Sequence, residues 1–234
     1  MLSNKIEIIQ KWLKEIYREK KAVIAVSGGV DSAVALTLLV KALGKERVIP
    51  MSLPYGEQDM TDAKLITRWN GLEDKMIEIN IAQMVDTTTR ELQITDEALR
   101  KGNIMARMRM IVVFDIAKKM GGMVCGTENK TEQLLGYFTR FGDSASDVEP
   151  IASLYKTEVW EIAKELGLPE IFYTKAPTAG LWSGQTDETE MGFSYKDADR
   201  VLSGDIENID PAIVAKVEKM VQANKFKLEV PYLL

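Results

Sequence analysis

The sequence predicts a three-layer α/β fold, in which a parallel sheet is flanked by helices on both faces. Short, continuously apolar runs, typical of strands buried on both faces, alternate with longer segments of helical period. This strand–helix alternation favours parallel strands, because each crossover helix returns the chain to the same end of the sheet. The length of 234 residues suits one domain over residues 1–234.

The first half of the chain contains three predicted strands. It begins with an amphipathic helix over about residues 3–19, which has apolar side chains at helical spacing among Lys and Glu. The apolar run 22–26 predicts the first strand, and the next helix ends at Gly44, a residue type that commonly terminates helices. Residues 47–53 and 75–79 are predicted as further strands, and residues 59–70 as the helix between them.

The second half begins with a long helix over residues 102–120, which is apolar on more than one face. Such a helix is either covered on one side by a second subunit or buried all round as a central core helix. A short strand at 122–126 follows, and then helices at 157–166 and 211–223. Residues 172–195 form the longest segment without clear periodicity, and a long loop of this kind is usually functional or mobile. Its acidic part, residues 187–190, is expected to be solvated, or to belong to a lid.

Composition excludes several classes of chemistry. Histidine is absent, which removes the Ser-His-Asp triad and histidine-based metal sites. Cys125 is the only cysteine, so no intrachain disulfide or paired-cysteine zinc site is possible, and a reducing, cytoplasmic compartment is expected. The net charge of −5 speaks against a nucleic-acid partner. No apolar run approaches the ~20 residues of a membrane span, and the charged N-terminus is unlike a signal peptide.

The most informative motif is SGGVDS at residues 27–32, directly after the first strand and opening a helix. Glycines allow the backbone to approach phosphate oxygens, and the helix N-terminus offers unpaired N–H groups. Asp31 would repel phosphate, and its presence makes sense if it binds Mg²⁺ carried by the phosphates. The alternative is an ordinary Gly-Gly turn with Asp or Ser as the helix N-cap. Neither the Walker P-loop nor the G-x-G-x-x-G pattern matches.

SGGVDS resembles the phosphate loop of the N-type ATP pyrophosphatases, or PP-loop enzymes. GNI-x-AR-x-RM at 102–110, GT with the following motif at 126–143, LYKT at 154–157 and KAPTA at 175–179 with Gln185 are similar to segments of ammonia-dependent NAD synthetases. The resemblance covers residues ~20 to ~230 and implies an adenine nucleotide alpha-hydrolase-like, Rossmann-like fold. It also implies a two-step reaction, in which ATP adenylates the nicotinate carboxylate of deamido-NAD and ammonia then displaces AMP.

The resemblance implies roles for individual residues. The ATP-binding positions are Ala25, Val26, Ser27, Gly28, Gly29, Val30, Asp31, Ser32, Thr127, Lys156 and Thr178. Asp31 and Glu132 would hold Mg²⁺, and these two would form the catalytic group together with Lys156 and Asp143, which could take a proton from ammonium. Contacts with deamido-NAD fall on Arg107, Arg140, Asp147, Asn224 and Lys225. A homodimer without nucleic-acid or membrane partners is expected.

The chain departs from the family pattern at some substrate positions. Arg140 replaces a common lysine, residues 144–146 replace a glycine pair, and Asn224 replaces a histidine. Two other functions stay open: a different adenylating ligase of the PP-loop class, such as a tRNA-modifying enzyme, and a non-catalytic ATP-binding sensor domain. No segment for a glutamine amidohydrolase is apparent, and Cys125 lies in a predicted buried strand, so ammonium is the expected nitrogen source.

Overall fold

The computed structural model describes residues 2–95, 97–178 and 186–229. Within those residues, four parallel strands form one sheet in the order β3-β2-β1-β4. Ala22 pairs with Val48 of β2 and with Met123 of β4, so β1 lies in the centre of the sheet. The strands are β1 (Lys21–Ala25), β2 (Val48–Ser52), β3 (Ile77–Glu78) and β4 (Gly122–Cys125).

Helices cover both faces of the sheet, which confirms the predicted fold class. The helices α1, α2 and α7 pack on one face, and α4 and α5 pack on the other. The described helices are α1 (Leu2–Tyr17), α2 (Val30–Leu43), α3 (Thr61–Trp69), α4 (Ala82–Glu91), α5 (Ala98–Met120), α6 (Lys130–Leu135), α7 (Lys156–Glu165), α8 (Ile171–Thr174), α9 (Asp187–Met191), α10 (Tyr195–Ser203) and α11 (Pro211–Asn224). Short 3₁₀ turns lie at Lys45–Arg47, Glu73–Lys75 and Lys225–Lys227.

The side chains of β1 divide between two hydrophobic clusters. Ala22 and Ile24 belong to the cluster under α1 and α2, whereas Val23 belongs to the cluster under α5. This division follows from the alternation of side chains along a strand. A third cluster joins α6, α10 and α11 beside the sheet. The continuous apolar run of β1 is therefore explained by burial on both faces.

The structure corrects several details of the sequence prediction. The helix α5 begins at Ala98, four residues before the predicted start. It is not buried all round, because Ile111 is 61% exposed and Phe114 is also exposed, so the alternative of a central core helix is wrong. The helices α4, α6, α8, α9 and α10 were not predicted, and α8 and α9 overlap the segment 172–195 that lacks clear periodicity. Asp187 is only 5% exposed, which contradicts its expected solvation. Residues 179–185, including Gln185, lie outside the described residues.

Among the described residues, no helix combines the length and the apolar character needed to cross a membrane.

Candidate functional site

A crevice of about 390 Å³ opens where β1, β2 and β4 end. The residues directly after these strands, Val26, Leu53 and Gly126, line its floor. Ligands of open α/β sheets bind at this edge, outside the carboxyl ends of the strands. The SGGVDS loop forms one wall of the crevice.

The glycines of this loop have separate structural reasons. Gly28 has a φ of +89°, and a Cβ there would lie 2.9 Å from the backbone nitrogen of Ala63 in α3. Gly29 is the N-cap of α2, and no side chain caps the helix. The alternative of an Asp or Ser N-cap is therefore wrong. Within the described residues, no side chain caps the N–H groups at the start of α2, and the residues that carry them line the crevice, as an anion site requires.

Two serines stiffen the same loop. Ser27 Oγ accepts a hydrogen bond from the backbone N–H of Gly29 at 3.2 Å and lies 3.1 Å from Ser32 Oγ. Ser32 in turn donates to the carbonyl oxygen of Gly29 at 3.0 Å. These contacts hold the backbone N–H groups in one arrangement before any ligand arrives, and such preorganisation favours binding of a charged group.

Three charged side chains meet beside the loop. Lys156 Nζ lies 2.5 Å from Asp31 Oδ2 and 3.1 Å from Glu132 Oε1. The lysine side chain is 2% exposed, whereas each carboxylate side chain is 16% exposed and reaches the crevice. Asn129 donates from Nδ2 to Asp31 Oδ1 at 2.9 Å and caps α6 with its own oxygen. The cluster thus ties α2, α6 and α7 together.

The electrostatics of the cluster follow from its burial. Burial alone would lower the pKa of Lys156, but the charges of Asp31 and Glu132 outweigh it and raise that pKa. Burial raises the pKa of Glu132, with Lys156 opposing the rise and Asp31 adding to it. The side chain of Lys156 therefore stays positively charged, and the carboxylates of Asp31 and Glu132 share that one charge.

Further hydrogen bonds hold the backbone that carries Lys156 in place. Thr131 accepts a hydrogen bond from the backbone N–H of Lys156 at 2.9 Å and donates to Asp199. Asp199 accepts from the N–H of Thr157 at 2.8 Å, at the N-terminus of α7, where a negative charge is favourable. The hydroxyl of Tyr195 lies 3.0 Å from Asp187 Oδ2, which explains why this acidic residue is buried.

The structure brings the predicted ATP and metal positions together. Asp143 also lines the crevice. The predicted positions found in the lining are Ala25, Val26, Ser27, Gly28, Gly29, Val30, Asp31, Ser32, Thr127, Glu132, Lys156 and Thr178.

The predicted deamido-NAD contacts lie elsewhere. Arg107 donates to the carbonyl of Arg140 at 3.2 and 3.3 Å, and Arg140 donates to the carbonyl of Glu229 at 2.6 Å. Asp147 accepts the N–H of Val124 at 2.8 Å, and the amide of Asn224 donates to the carbonyl of Leu135 at 3.0 Å. The positions that are not part of the crevice lining are Arg107, Arg140, Asp147, Asn224 and Lys225.

Sequence reasoning missed three side chains of the site. Arg109 lines the crevice and donates to the carbonyl of Leu53 and to Gln58, both at 3.0 Å. Asn129, described above, positions Asp31. Arg109 lies in the motif at 102–110 and Asn129 in the motif at 126–143, so the sequence could have indicated both residues. Glu128 also lines the crevice and is 7% exposed, and its position between two motif residues was its only signal.

Glu128 has an unusual environment. Its backbone N–H donates to Glu149 Oε2 at 3.2 Å, but its own Oε1 is buried and has no hydrogen-bond partner among the described residues. Burial raises the pKa of Glu128 to about 9, and the charges of Asp143, Glu149 and Glu132 add to the rise.

Comparison with known proteins agrees with this geometry. The chain matches the family model NAD synthase over residues 1–231. It is 44% identical to the NH(3)-dependent NAD(+) synthetase of Thermoplasma acidophilum, over 99% of this chain and 97% of the relative. The NMN synthetase of Francisella tularensis superposes with a TM-score of 0.92 at 32% identity, over 100% and 98% of the two chains. The NH3-dependent NAD synthetase of Campylobacter jejuni gives 0.84 at 30%, over 100% and 99%. The predicted family is thereby confirmed, and the chain belongs to the NAD synthase family.

Proposed function

We propose that this chain is an ammonia-dependent NAD synthetase, a ligase that amidates deamido-NAD with ATP. The observation that carries the proposal is the meeting of the SGGVDS loop with Asp31, Lys156 and Glu132 in one crevice. The loop provides N–H groups for phosphates, and the carboxylates lie beside it. The relative from Thermoplasma acidophilum carries the same activity in its name.

The chemistry divides into two displacements. In the first, an oxygen of the nicotinate carboxylate attacks the α-phosphorus of ATP, and pyrophosphate leaves. In the second, the nitrogen of ammonia attacks the adenylated carbonyl carbon, AMP leaves with the bonding electrons, and the nitrogen loses its excess protons. The loop and the start of α2 hold the phosphates, and Lys156 has one N–H left for a phosphate oxygen. Because ATP supplies the leaving group, the main tasks of this chain are to orient the substrates and to neutralise the charge of the phosphates.

Magnesium fits the residues that are present. The carboxylates of Asp31 and Glu132 lie close together, since both contact Nζ of Lys156. Within the described residues no third carboxylate or thiol joins them as a metal ligand. Mg²⁺ typically uses one or two carboxylates together with phosphate oxygens and waters. Asp31 and Glu132 would hold the ion, which when bound neutralises the charge that develops on the phosphates.

We also propose that residues 1–234 form one domain, that the enzyme works in the cytoplasm as a homodimer, and that its partners are small molecules. The dimer is supported by the exposed apolar side chains of α5, among them Ile111 and Phe114. Neighbouring exposed apolar residues on a helix face are typical of an interface.

One assay tests the activity. Purified protein receives ATP, Mg²⁺, ammonium and deamido-NAD, and NAD, AMP and pyrophosphate are measured. We expect the three products in equal amounts, and none when deamido-NAD is left out. Pyrophosphate release without deamido-NAD would contradict the proposal, and ATP binding without turnover would favour a sensor domain.

A second candidate substrate is the mononucleotide, nicotinate mononucleotide. The observation that favours it is the higher TM-score with the NMN synthetase, 0.92 against 0.84, at nearly equal identity. The same assay with each substrate, compared by kcat/KM, separates the two: a preference for deamido-NAD excludes the second candidate.

A further inference from the structure

We propose that the unpaired carboxylate oxygen of Glu128 binds the ammonium ion that supplies the amide nitrogen. The inference rests on the proposed function, because it concerns the nitrogen donor of the same reaction. Glu128 lies on the loop after β4, next to Thr127, which is a predicted ATP contact. It would thus hold ammonium on the wall of the crevice in which the adenylate forms.

The carboxylate of Glu128 has capacity for a ligand. The residue is 93% buried, as its exposed fraction is 7%, and it lines the crevice. In residues 2–95, 97–178 and 186–229, its Oε1 finds no hydrogen-bond partner. A buried carboxylate oxygen without a partner is costly, and native proteins normally satisfy such atoms. A small donor in the crevice would satisfy this oxygen.

Acidic side chains surround Glu128. The charges of Asp143, Glu149 and Glu132 all act on it, and Asp143 and Glu132 line the crevice with it. The N–H groups at the start of α2 are the part of the crevice that suits phosphates. Acidic side chains would repel phosphate groups. Among the substrates of the proposed reaction, ammonium is the small cation with N–H donors for a carboxylate oxygen, whereas the pyridinium ring of deamido-NAD carries no N–H. Ammonium therefore suits these acidic surroundings.

Two neighbouring cations oppose the rise of the pKa values of these carboxyls without pairing with them directly: Lys227 acts on Glu128 and Asp143, and Arg109 acts on Asp143. Lys227 donates to the carbonyl oxygens of Gly136 and Phe138 at 2.7 and 2.9 Å. Arg109 donates to a carbonyl and an amide oxygen, as described above.

In the part of the chain that the structure describes, none of the carboxylates of Glu128, Asp143 and Glu149 forms an ion pair within 4.0 Å. Because Glu128 is buried and no counter-charge is paired with it, its pKa is raised to about 9. Without a ligand this carboxyl therefore holds a proton at neutral pH, and binding of ammonium would displace that proton.

Glu128 suits this role better than Asp143, the residue singled out from the sequence. Asp143 Oδ1 already accepts a hydrogen bond from the backbone N–H of Thr139 at 2.7 Å, so this oxygen stabilises its own loop. Glu149 accepts from Ser146 Oγ at 2.7 Å and from the N–H of Glu128, and it does not line the crevice. Glu128 alone of the three carries a buried oxygen without a partner within the described structure.

The test is the variant Glu128→Gln, which keeps the shape of the side chain but cannot ionise to pair with ammonium. We expect the KM for ammonium to rise roughly 10- to 100-fold, the size of a lost hydrogen bond between charged groups, while the KM for ATP does not change. Hydroxylamine, which is largely uncharged at neutral pH, should be affected far less as an alternative nucleophile. Glu128→Asp, which restores an ionisable carboxyl on a shorter side chain, should recover part of the ammonium affinity.

The matched control is Glu149→Gln, which removes a charge from the same cluster but leaves the Glu128 oxygen in place. Its KM for ammonium should stay close to that of the wild type. An unchanged KM for ammonium in a folded Glu128→Gln protein, or equal losses with ammonium and hydroxylamine, would overturn the inference. Failure of the proposed function is a separate outcome, because the wild type would then form no amide from any nicotinate nucleotide.

Discussion

Lys156 Nζ lies 2.5 Å from Asp31 Oδ2, which joins the first residue of α7 to the second residue of α2. A lysine at a helix N-terminus is normally unfavourable, because both carry positive charge. Here Asp31 and Glu132 compensate the ammonium, and Asp199 compensates the helix end. The ion pair therefore sets the position of the carboxylates relative to the SGGVDS loop.

Replacing Lys156 by methionine should cost both stability and activity. The change leaves Asp31 and Glu132 close together without their counter-charge. Breaking a buried ion pair by removing one partner typically costs about 3 to 5 kcal/mol, and the free energy of unfolding should fall by that order. Urea titration measures the loss. Lys164→Met on the exposed side of α7 is the matched control and should change stability little. A stable, active Lys156→Met protein would contradict this role.

Asp31→Asn and Glu132→Gln should each reduce adenylation. Both are nearly isosteric, so the fold should persist, while one preorganised charge of the proposed magnesium site is lost. Such a loss typically costs ~10²–10³ in rate. Pyrophosphate release under saturating ATP and Mg²⁺ is the measurement. Near-normal turnover in both variants would show that these carboxylates hold no metal.

The sequence predicted those parts of the fold and site that have a clear local sequence pattern. The strands β1 and β2 and the SGGVDS loop were predicted because an apolar run and a Gly-Gly turn are local signals. The helix α4 was missed because it contains three consecutive threonines, which have low helix propensity. The helix α6 has only six residues and owes its start to the Asn129 capping box. Tertiary packing decides such short segments.

The positions of charged side chains were less readable. The sequence motif indicated Lys156 as a phosphate contact, but not that it would be buried between two carboxylates. Asp187 is buried against the hydroxyls of Tyr195, the first residue of α10, and of Tyr137, which lies outside the segment 172–195. The unpaired oxygen of Glu128 depends on which donors surround it in three dimensions. The periodicity of apolar residues in the sequence does not indicate such tertiary contacts.

The exposed face of α5 predicts the dimer interface. Ile111→Asp should leave the monomer folded, because the side chain is 61% exposed and surface changes usually stay within about 0.5 kcal/mol. In a dimer the new carboxylate would be buried without a partner, so association should weaken. Sedimentation velocity at micromolar protein is the measurement.

The matched control for the interface is Ile8→Asp, which alters an exposed isoleucine of α1. It should leave the sedimentation coefficient unchanged. A wild-type protein that sediments as an active monomer would remove the basis of the prediction.

Stability should depend on pH through Glu128. Its carboxyl has a pKa raised from 4.5 to about 9, so between these values the folded state holds a proton that the unfolded state has lost. Stability should therefore fall as pH rises through this window, by at most ~1.4 kcal/mol per pH unit. Glu128→Gln should flatten the decline and be more stable than the wild type at alkaline pH. Glu7→Gln on the exposed surface is the control, and parallel curves for all three proteins would contradict the assignment.

The last prediction concerns the nitrogen source. Hydrolysis of glutamine by a thiol requires an accessible thiolate, usually with a neighbouring base. Cys125 is buried in β4, its Sγ lies 3.3 Å from the carbonyl oxygen of Gly126, and burial raises its pKa well above the ordinary value. No histidine exists in the sequence to act as a base. We therefore expect NAD formation with ammonium salts and none with glutamine freed of ammonia. Cys125→Ala should stay active and lose about 1 kcal/mol of stability, whereas loss of activity in a folded variant would assign the thiol a role in the reaction.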